Sequence, residues 1–349
     1  MKVLLDTSAL YTDRAGVSRY TRGLLRGLRD AGLTEGVGEL VWPVENFDYA
    51  QPARALKTAW RELVWAKTVA PWRAREAEVL HHLSLPLVPF AGARRHVVTL
   101  HDVALLRHPE RFRSWLRWSG RRRLARIGHA DRIIAVSRFS ADEAMNLLGW
   151  SAKKIEVIPE AGWFDDELAG PTVLPASLPA EYFLFVGSLE PGKNLALLRE
   201  IYLADPRGLP PLVVVGARWA GVACEGPPPP DWHFLGPVER ALLPGLYRGA
   251  RGLLFPSRYE GFGLPVLEAM GAGCPVVCAP VASLPEVAGD AAIYAELNAT
   301  EYGGAMRRLA RDHAWAAEWR ERGLARAGEF SWRRTAFETH RVWREVTSA

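Results

Sequence analysis

Two glutamates, Glu260 and Glu268, stand in the densest cluster of potentially reactive residues in the chain, the run Pro256–Met270. The glycines between them let a ligand approach the backbone closely, and Pro265 favours a helix start directly after those glycines. A helix start binds diphosphates well, and an ionised Glu268 can accept two hydrogen bonds from a ribose diol. The run therefore predicts a site for a nucleoside diphosphate, with Glu260 close to the phosphates or to an attached sugar.

A second candidate is the segment Gly187–Asn194, which is predicted to connect a strand to a helix. It is one residue short of the phosphate-binding P-loop pattern, so a P-loop nucleoside triphosphatase is one hypothesis for the chain. Asn194 stands where that pattern has the hydroxyl that holds magnesium, and no later predicted strand ends in an aspartate for the metal. Lys193 is available to a diphosphate in either interpretation.

The run Pro256–Met270 resembles the E-x7-E region of glycosyltransferase family 4, the group 1 glycosyltransferases, which are retaining enzymes with the GT-B fold. Other segments resemble the next loop of that family, its base-binding strand with the following helix, and its C-terminal segment. These are Ser283–Asp290, Phe234–Gly236 with Leu246–Tyr247, and Phe330–Trp332. The resemblance extends over nearly the whole chain and is mannosyltransferase-like.

The resemblance implies roles for individual residues. Lys193 is expected to contact the donor diphosphate and Glu268 the ribose. Many family members carry arginine where this chain has Ser188 and Gly192, so Arg258 or another arginine is a candidate substitute. The implied donor-binding residues are Gly16, Gly187, Ser188, Lys193, Glu260, Gly261, Phe262, Gly263, Leu264 and Glu268. The implied catalytic residues are His101, Glu260 and Lys193.

Two of these residues lie in the first half of the chain. Gly16 belongs to Asp13–Tyr20, which resembles the family's glycine loop between the first strand and the first helix. His101 follows the predicted strand His96–Leu100, and the carboxyl ends of parallel strands face the ligand crevice. A histidine at the matching place in family 4 contacts the donor sugar near the reacting carbon. The other histidines without such support are interpreted as having ordinary local hydrogen bonds, and they are His81, His82 and His108.

The order of elements predicts an α/β protein. Short apolar runs alternate with amphipathic helical segments, as in parallel sheets covered by helices, and the resemblance implies two Rossmann-like domains that face each other across a cleft. We expect an N-terminal acceptor domain over residues 1–168, a linker over 169–180, a nucleotide-sugar-binding domain over 181–331, and a helix over 332–349 that packs back on the first domain. Ser140 is expected to cap a helix.

Composition excludes several other classes of protein. The chain has 349 residues, of which 49% are hydrophobic and 24% charged, which suits two globular domains. No apolar run is long enough to span a bilayer and no signal peptide is recognised, so a cytoplasmic location is expected. The 3 cysteines lack the spacing of a disulfide framework or a zinc site. With no Asp-x-Asp motif either, no metal site and no cofactor are predicted.

The positive charge of the chain is unevenly distributed, because its whole excess falls in residues 1–175. Two predicted helices there, Phe112–Arg126 and Ala59–Arg73, combine aromatic residues with arginines. This pattern is typical of a helix on a membrane surface, but aromatic residues in the core with solvated arginines would give it too. The first interpretation predicts peripheral contact with the anionic inner face of the cell membrane. No nucleic-acid-binding motif is present.

The function predicted from the sequence is transfer of a hexose, with retention, from a nucleoside diphosphate sugar to a glycan or lipid-linked acceptor in cell-envelope polysaccharide biosynthesis. Two alternatives stay open. One is a non-catalytic nucleotide-sugar-binding protein of the same fold, and the other is the P-loop-like nucleoside triphosphatase.

Overall fold

The computed structural model describes residues 1–8, 10, 16–41, 60, 63–86, 90–112, 114–169, 173–217 and 227–348. The chain forms two compact units, unit 1 of residues 1–160 with 332–349 and unit 2 of residues 161–331. The described residues of each unit contain one parallel six-stranded sheet accompanied by helices, so the predicted α/β class with two Rossmann-like parts is confirmed.

The sheet of unit 1 is built from strands β1 Val3–Asp6, β2 Val37–Leu40, β3 Val79–His82, β4 Arg95–Leu100, β5 Arg132–Ala135 and β6 Ile155–Val157. Their order across the sheet is β2-β1-β3-β4-β5-β6, and all neighbours are parallel. The strand order reverses between β1 and β3. Open parallel sheets bind ligands beyond the carboxyl ends of their strands near such a reversal, and His101 directly follows β4, the neighbour of β3.

The helices of unit 1 before the boundary are α1 Gly16–Asp30, α2 Val69–Ala74, α3 Ala104–Arg107, α4 Ser114–Ile127 and α5 Arg138–Leu148. Helix α1 shows why these segments form as they do. Its buried residues Tyr20, Leu24 and Leu28 recur every four positions and so lie on one face of the helix. Gly32, with φ of 68°, follows the end of the helix.

The sheet of unit 2 is built from strands β7 Phe183–Val186, β8 Leu212–Val215, β9 Trp232–Gly236, β10 Gly252–Phe255, β11 Val276–Cys278 and β12 Ile293–Tyr294. Their order is β12-β11-β10-β7-β8-β9, again all parallel. Successive residues of β7 alternate between two cores, Phe183 and Phe185 in one and Leu184 and Val186 in the other. Both faces of the sheet are therefore covered, and the strand order reverses between β7 and β10.

The helices of unit 2 are α6 Asp165–Ala169, α7 Leu195–Ala204, α8 Leu243–Gly249, α9 Leu264–Gly271, α10 Leu284–Ala288, α11 Ala299–Arg311 and α12 His313–Ala327. Helix α9 follows the loop after β10 and carries Glu268.

The chain returns to unit 1 through its last helix, α13 Trp332–Ser348, which packs on α1. A Cβ atom at Gly23 would come within 2.2 Å of the Trp332 ring, and one at Gly27 within 2.4 Å of the Trp332 carbonyl oxygen. Only glycine permits this close approach of the two helices. Thr335 adds a hydrogen bond of 2.8 Å from its Oγ1 to the carbonyl of Pro159.

Two local features differ from the sequence-based expectation. Helix α5 begins at Arg138, and its cap is Ser137, whose side chain accepts from the amide of Ser140. Ser140 therefore lies inside the helix and is not its cap. Its hydroxyl donates to the carbonyl of His101 at 3.0 Å. The boundary between the units falls after residue 160, ahead of the linker expected over residues 169–180, and helix α6 follows that boundary.

Candidate functional site

Two of the predicted residues meet at the strand-order reversal of unit 2. Lys193 lies on the loop after β7 and Glu260 on the loop after β10. The ammonium Nζ of Lys193 donates to Glu260 Oε1 at 2.5 Å, and the two side chains are 16% and 11% exposed. The same Nζ lies 5.5 Å from the centroid of the Phe255 ring. A half-buried ion pair therefore spans the point where a parallel sheet of this kind binds its ligand.

The loop after β7 is held in shape by its own polar groups. Gly187 and Ser188 begin it, and the amide of Gly187 donates to Val215 at 3.0 Å. Glu190 Oε2 accepts from the amide of Gly192 at 2.8 Å, which fixes the tight turn that contains Lys193. Asn194 then adopts φ of 57° before α7 begins. Asparagine tolerates that left-handed conformation better than most residues.

The loop after β10 lies directly against the loop after β7. The amide of Arg258 donates to the carbonyl of Gly192 at 2.9 Å. The Arg258 side chain is exposed, and no ion pair is found for it among the described residues. Gly192 is one of the two positions where the sequence resemblance expects an arginine, and the backbone of Arg258 lies beside it.

The same loop leads into α9 through residues that leave it little freedom. Ser283 Oγ lies within hydrogen-bond distance of the carbonyls of Glu260, at 3.0 Å, and of Phe262, at 2.8 Å. Gly263 has φ of 104°, where a side chain would be strained, and precedes Leu264 at the helix start. The loop from Glu260 to Leu264 is thus fixed in front of the positive end of the α9 dipole.

Glu268 is buried in α9, with a side chain only 1% exposed. Its Oε1 accepts from Arg240 Nη1 at 3.1 Å, and its Oε2 accepts from the hydroxyl of Tyr247 at 3.3 Å. A carboxylate has about four acceptor positions. Hydroxyls of a ribose would therefore have to share the two oxygens with Arg240 and Tyr247.

Arg240 connects Glu268 to the segment that follows the unit boundary, a contact that no sequence pattern indicated. Its Nε and Nη2 donate to the two oxygens of Glu167 at 2.7 and 3.2 Å, a bidentate pair. The Arg240 guanidinium lies 4.5 Å from the centroid of the Trp163 ring, and Trp163 Nε1 donates to the Glu268 carbonyl at 2.7 Å. Burial alone would lower the pKa of Arg240, but the two glutamates hold it above its usual value.

In unit 1, both ring nitrogens of His101 are in hydrogen bonds. Its Nδ1 lies 3.2 Å from Glu160 Oε1, and its Nε2 lies 3.0 Å from the carbonyl oxygen of Leu83. The ring of Tyr20 packs edge-on, with the centroids 4.9 Å apart. Burial alone would lower the pKa of His101, but the hydrogen bond to Glu160 and its charge outweigh burial, so that this pKa is raised. Glu160 is a functional candidate that the sequence did not reveal.

The remaining residues of unit 1 divide between surface and core. Gly16 is the first residue of α1, with open space where a side chain would begin, whereas Asp13, Arg14 and Ala15 of its loop lie outside the described residues. His81 is buried, with Nε2 2.9 Å from Thr99 Oγ1, and accepts from Trp343 Nε1 at 3.2 Å. His82 and His108 also have local polar partners, so the ordinary interpretation holds for all three histidines.

Among the described tryptophans of the two aromatic and arginine-rich segments, one is buried and three are exposed. Trp65 is fully buried in a core of unit 1. Trp72 and Trp118 are 59% and 54% exposed, and Trp60 is exposed as well. The guanidinium of Arg122 lies 4.5 Å from the Trp118 ring centroid, and that of Arg75 lies 4.8 Å from the Trp72 ring centroid. Ala59, Arg61 and Glu62, and the side chain of Trp115, lie outside the description.

Two features are absent from the described part of the chain, a metal-binding cluster and a membrane-spanning helix. No group of three or more His, Cys, Asp and Glu side chains there is arranged to hold a metal ion. None of the helices described has both the length and the apolar character needed to cross a bilayer.

Comparison with known proteins places this geometry in a family. Residues 180–312 match the family model described as glycosyl transferases group 1, and residues 14–161 match the one described as glycosyltransferase family 4. The O-antigen chain mannosyltransferase B of Escherichia coli is 35% identical over 264 residues, which cover 70% of this chain and 69% of that protein.

Solved structures share the fold at low sequence identity. Sucrose-phosphate synthase from Thermosynechococcus elongatus superposes with a TM-score of 0.73 at 18% identity, over 100% of this chain and 99% of the other. HepE of Anabaena in complex with UDP-glucose gives 0.69 at 19% identity, over 99% and 100% of the two chains. At such identities the likeness establishes the fold alone.

Proposed function

The chain belongs to glycosyltransferase family 4, the group 1 glycosyltransferases, and from that membership we propose that it moves a hexose from a nucleoside diphosphate sugar to a glycan or lipid-linked acceptor. It is a glycosyltransferase with the GT-B fold. Retention of the anomeric configuration, independence of metal ions and the nature of the acceptor are parts of the proposal.

The observation that carries the proposal for the donor is the Lys193–Glu260 pair at the strand-order reversal of unit 2. A nucleoside diphosphate sugar presents a doubly charged diphosphate beside neutral hydroxyl groups. Lys193 supplies charge for the first, and Glu260 supplies an acceptor for the second. The loop Glu260–Leu264 offers backbone to the diphosphate at the positive end of α9.

The chemical step breaks the bond between the anomeric carbon and a diphosphate oxygen. The anomeric carbon bonds to the oxygen of an acceptor hydroxyl, and the proton of that hydroxyl passes to the departing diphosphate. Negative charge grows on the departing diphosphate while the sugar becomes oxocarbenium-like. Fixed charges and dipoles aimed at the growing charge lower the barrier, because they need no rearrangement at the moment of reaction. We assign that stabilisation to Lys193, with His101 as the donor-sugar contact in unit 1.

The transferred sugar is proposed to be a hexose, with mannose as the first candidate. The support is the name of the Escherichia coli relative, which is a mannosyltransferase. The relative's name also places it in O-antigen chain synthesis, which supports a glycan acceptor here. In the structural neighbour from Anabaena the bound donor is UDP-glucose, so the base and the sugar must be tested together.

The test is a panel of GDP-, UDP- and dTDP-sugars, first by thermal shift and then by release of the nucleoside diphosphate with and without acceptor. We expect one donor to raise the melting temperature and to be hydrolysed slowly without acceptor. Equal activity with and without EDTA is expected, since lysine and the helix dipole are proposed to replace a metal. Binding without turnover under all conditions would support the non-catalytic alternative, and ATP hydrolysis that depends on magnesium would contradict the proposal.

We further propose that unit 1 contacts an anionic membrane surface through α4. Trp118 is more than half exposed there, and Arg117, Arg121, Arg122 and Arg126 are exposed on the same helix. A bilayer interface suits this combination, since the indole enters the headgroup region while the arginines face anionic lipids. An acceptor carried on a lipid would then be held close to the enzyme.

A further inference from the structure

The ring of His101 has two polar neighbours that together fix its protons. The carbonyl oxygen of Leu83 can only accept, so Nε2, which lies 3.0 Å from it, must carry a hydrogen. The carboxyl of Glu160 lies 3.2 Å from Nδ1. With Nε2 already protonated, one further proton belongs to the pair, and it resides on Nδ1 or on Glu160.

The surroundings of the two groups favour that proton on the imidazole. The hydrogen bond to Glu160 and the charge of Glu160 both stabilise the protonated form of His101. Glu160 is buried at 3% exposure, and no hydrogen bond to its other oxygen is found among the described residues. A carboxylate in that position needs a cation beside it, and the charged imidazole is the one that the structure supplies.

The other groups that face His101 agree with a positive ring. Asp102, the next residue in the chain, and Glu160 both favour the charged form, and their effect exceeds that of burial, so the pKa of His101 is raised. His81, on the neighbouring strand β3, has a pKa lowered to about 3 by burial and by its two histidine neighbours, so it stays neutral. Tyr20, which packs against the ring, has a pKa raised far above neutrality by burial and is uncharged.

We propose that Glu160 is a positioning residue that keeps His101 as an imidazolium, and that His101 acts on the donor as a cationic hydrogen-bond donor. This rests on the proposed function. An imidazolium has two N–H groups and no free lone pair, so it cannot serve as a general base. Its ligand must be an acceptor oxygen of the donor, either a sugar hydroxyl or a phosphate oxygen, which would replace the Leu83 carbonyl at Nε2.

The chemical benefit follows from the charge of the transition state. An imidazolium gives a charged hydrogen bond to an acceptor oxygen that gains negative charge, whereas a neutral imidazole gives only an uncharged one. Glu160 keeps that charge present up to a higher pH than a free histidine would allow. Activity should therefore persist above the pH at which an ordinary histidine loses its proton.

The experiment compares wild type with Glu160→Gln, which keeps the shape of the side chain, and with Glu160→Asp, which keeps its charge. Protein labelled with ¹³C at histidine Cε1 is titrated by NMR, and the His101 signal is assigned from its loss in His101→Gln. We expect the His101 pKa to fall by more than one unit in Glu160→Gln and to stay near the wild-type value in Glu160→Asp. An unchanged pKa in Glu160→Gln would overturn the proposal.

The kinetic arm measures the pH profile of kcat/KM with the donor found in the sugar-nucleotide panel. In Glu160→Gln the fall in activity at high pH should move to lower pH, and activity at the acid end should approach that of wild type. A uniform loss at every pH would mean a structural role alone and would contradict the proposal. The NMR arm needs no substrate, so a failure of the proposed glycosyl transfer would be seen separately.

Discussion

Lys193 and Glu260 form an ion pair, 2.5 Å from Nζ to Oε1, that joins the loop after β7 to the loop after β10. Each residue neutralises the charge of the other. We propose that a bound diphosphate competes with Glu260 for the ammonium and leaves the glutamate facing the sugar. The ion pair would then hold Lys193 in place for the donor.

Replacement of Lys193 by alanine should cost turnover more than affinity. The diphosphate gains negative charge as the sugar departs, so a cation beside it stabilises the transition state more than the bound donor. By analogy with the loss of one charge-stabilising donor in other enzymes, kcat should fall on the order of 100-fold. Steady-state kinetics with calorimetry of the nucleoside diphosphate would measure both effects. A raised KM with intact kcat would show that Lys193 only anchors the donor.

Arg258 is predicted to supply the charge that the loop after β7 lacks. Its amide contacts Gly192, and Arg258→Ala should weaken binding of a nucleoside diphosphate about tenfold, as expected for a hydrogen bond to a charged group. The matched control is the replacement by alanine of Arg320, an exposed arginine on α12.

Two further variants add charge to the loop after β7. Gly192→Arg, combined with Arg258→Ala, should restore binding, and Ser188→Arg alone should raise activity if no other arginine occupies the space beside Ser188. If Arg258→Ala binds UDP and GDP as tightly as wild type does, Arg258 does not contribute to the site.

Replacement of Glu268 by alanine should weaken donor binding because the ribose loses its acceptor. A hydrogen bond to a charged group contributes roughly 1.5–3 kcal/mol, so affinity should fall about tenfold or more. The protein should stay folded, since Arg240 keeps its bidentate pair with Glu167. Glu167→Gln is the control, because it disturbs the same arginine without removing the ribose acceptor. Unchanged affinity of Glu268→Ala by calorimetry would exclude the ribose role.

Membrane contact through α4 should depend on charge and therefore on salt. Each basic residue near an anionic surface contributes about 1 kcal/mol, and exposed charges are screened at high ionic strength. Sedimentation should show binding to anionic but not neutral liposomes, lost at high salt and in Arg121→Glu with Arg122→Glu and Arg123→Glu. Binding that survives those substitutions would move the contact to the exposed Trp60 and Trp72. Equal, negligible binding to both liposomes would contradict membrane contact.

Acid should destabilise the protein through its buried histidines. Burial lowers the pKa of His81 to about 3 and, with His82, that of His96 to about 4. Since an unfolded histidine titrates near pH 6.5, the unfolded chain binds more protons below that pH, and stability falls as the pH drops from about 6.5 towards 4. The raised pKa of His101 acts in the opposite direction, since its contribution is lost as the pH rises.

The measurement is the melting temperature between about pH 7 and pH 5. It should fall in wild type and fall less in His96→Asn, which retains a polar group opposite His82 but cannot take up a proton. Replacement of the exposed His129 by asparagine is the control and should leave the pH dependence unchanged. A wild-type melting temperature that does not change over this pH range would contradict the prediction that the buried histidines destabilise the protein in acid.

The parts of the site that could be predicted from sequence are those encoded by contiguous residues. The strand Gly252–Phe255 and the loop after it can be recognised in the sequence because an apolar run, two glycines and a proline follow one another. The strand Leu212–Val215 can be recognised too, since it consists of four consecutive apolar residues. Lys193 and Glu260 were each identified on their own loops, and the parallel order of β7 and β10 brings them together.

The parts that could not be predicted depend on residues far apart in the chain. Glu160, which follows β6, meets His101, which follows β4, across the intervening strand β5, and no spacing in the sequence encodes that. Strand β3 is hard to recognise in the sequence because its last two residues are histidines, which are polar, although both are buried in the folded protein. Arg240 was not identified because its partners Glu167 and Glu268 are far from it in the chain.

The close packing of Trp332 on Gly23 and Gly27 has a consequence for biosynthesis. The ribosome makes residues 1–160 first, but the helix that completes their hydrophobic core is synthesised after the whole of residues 161–331. Unit 2 is contiguous and can fold as soon as it emerges, whereas unit 1 must wait with the glycine face of α1 uncovered. The apolar surface around Gly23 and Gly27 is therefore expected to stay uncovered until α13 has been synthesised.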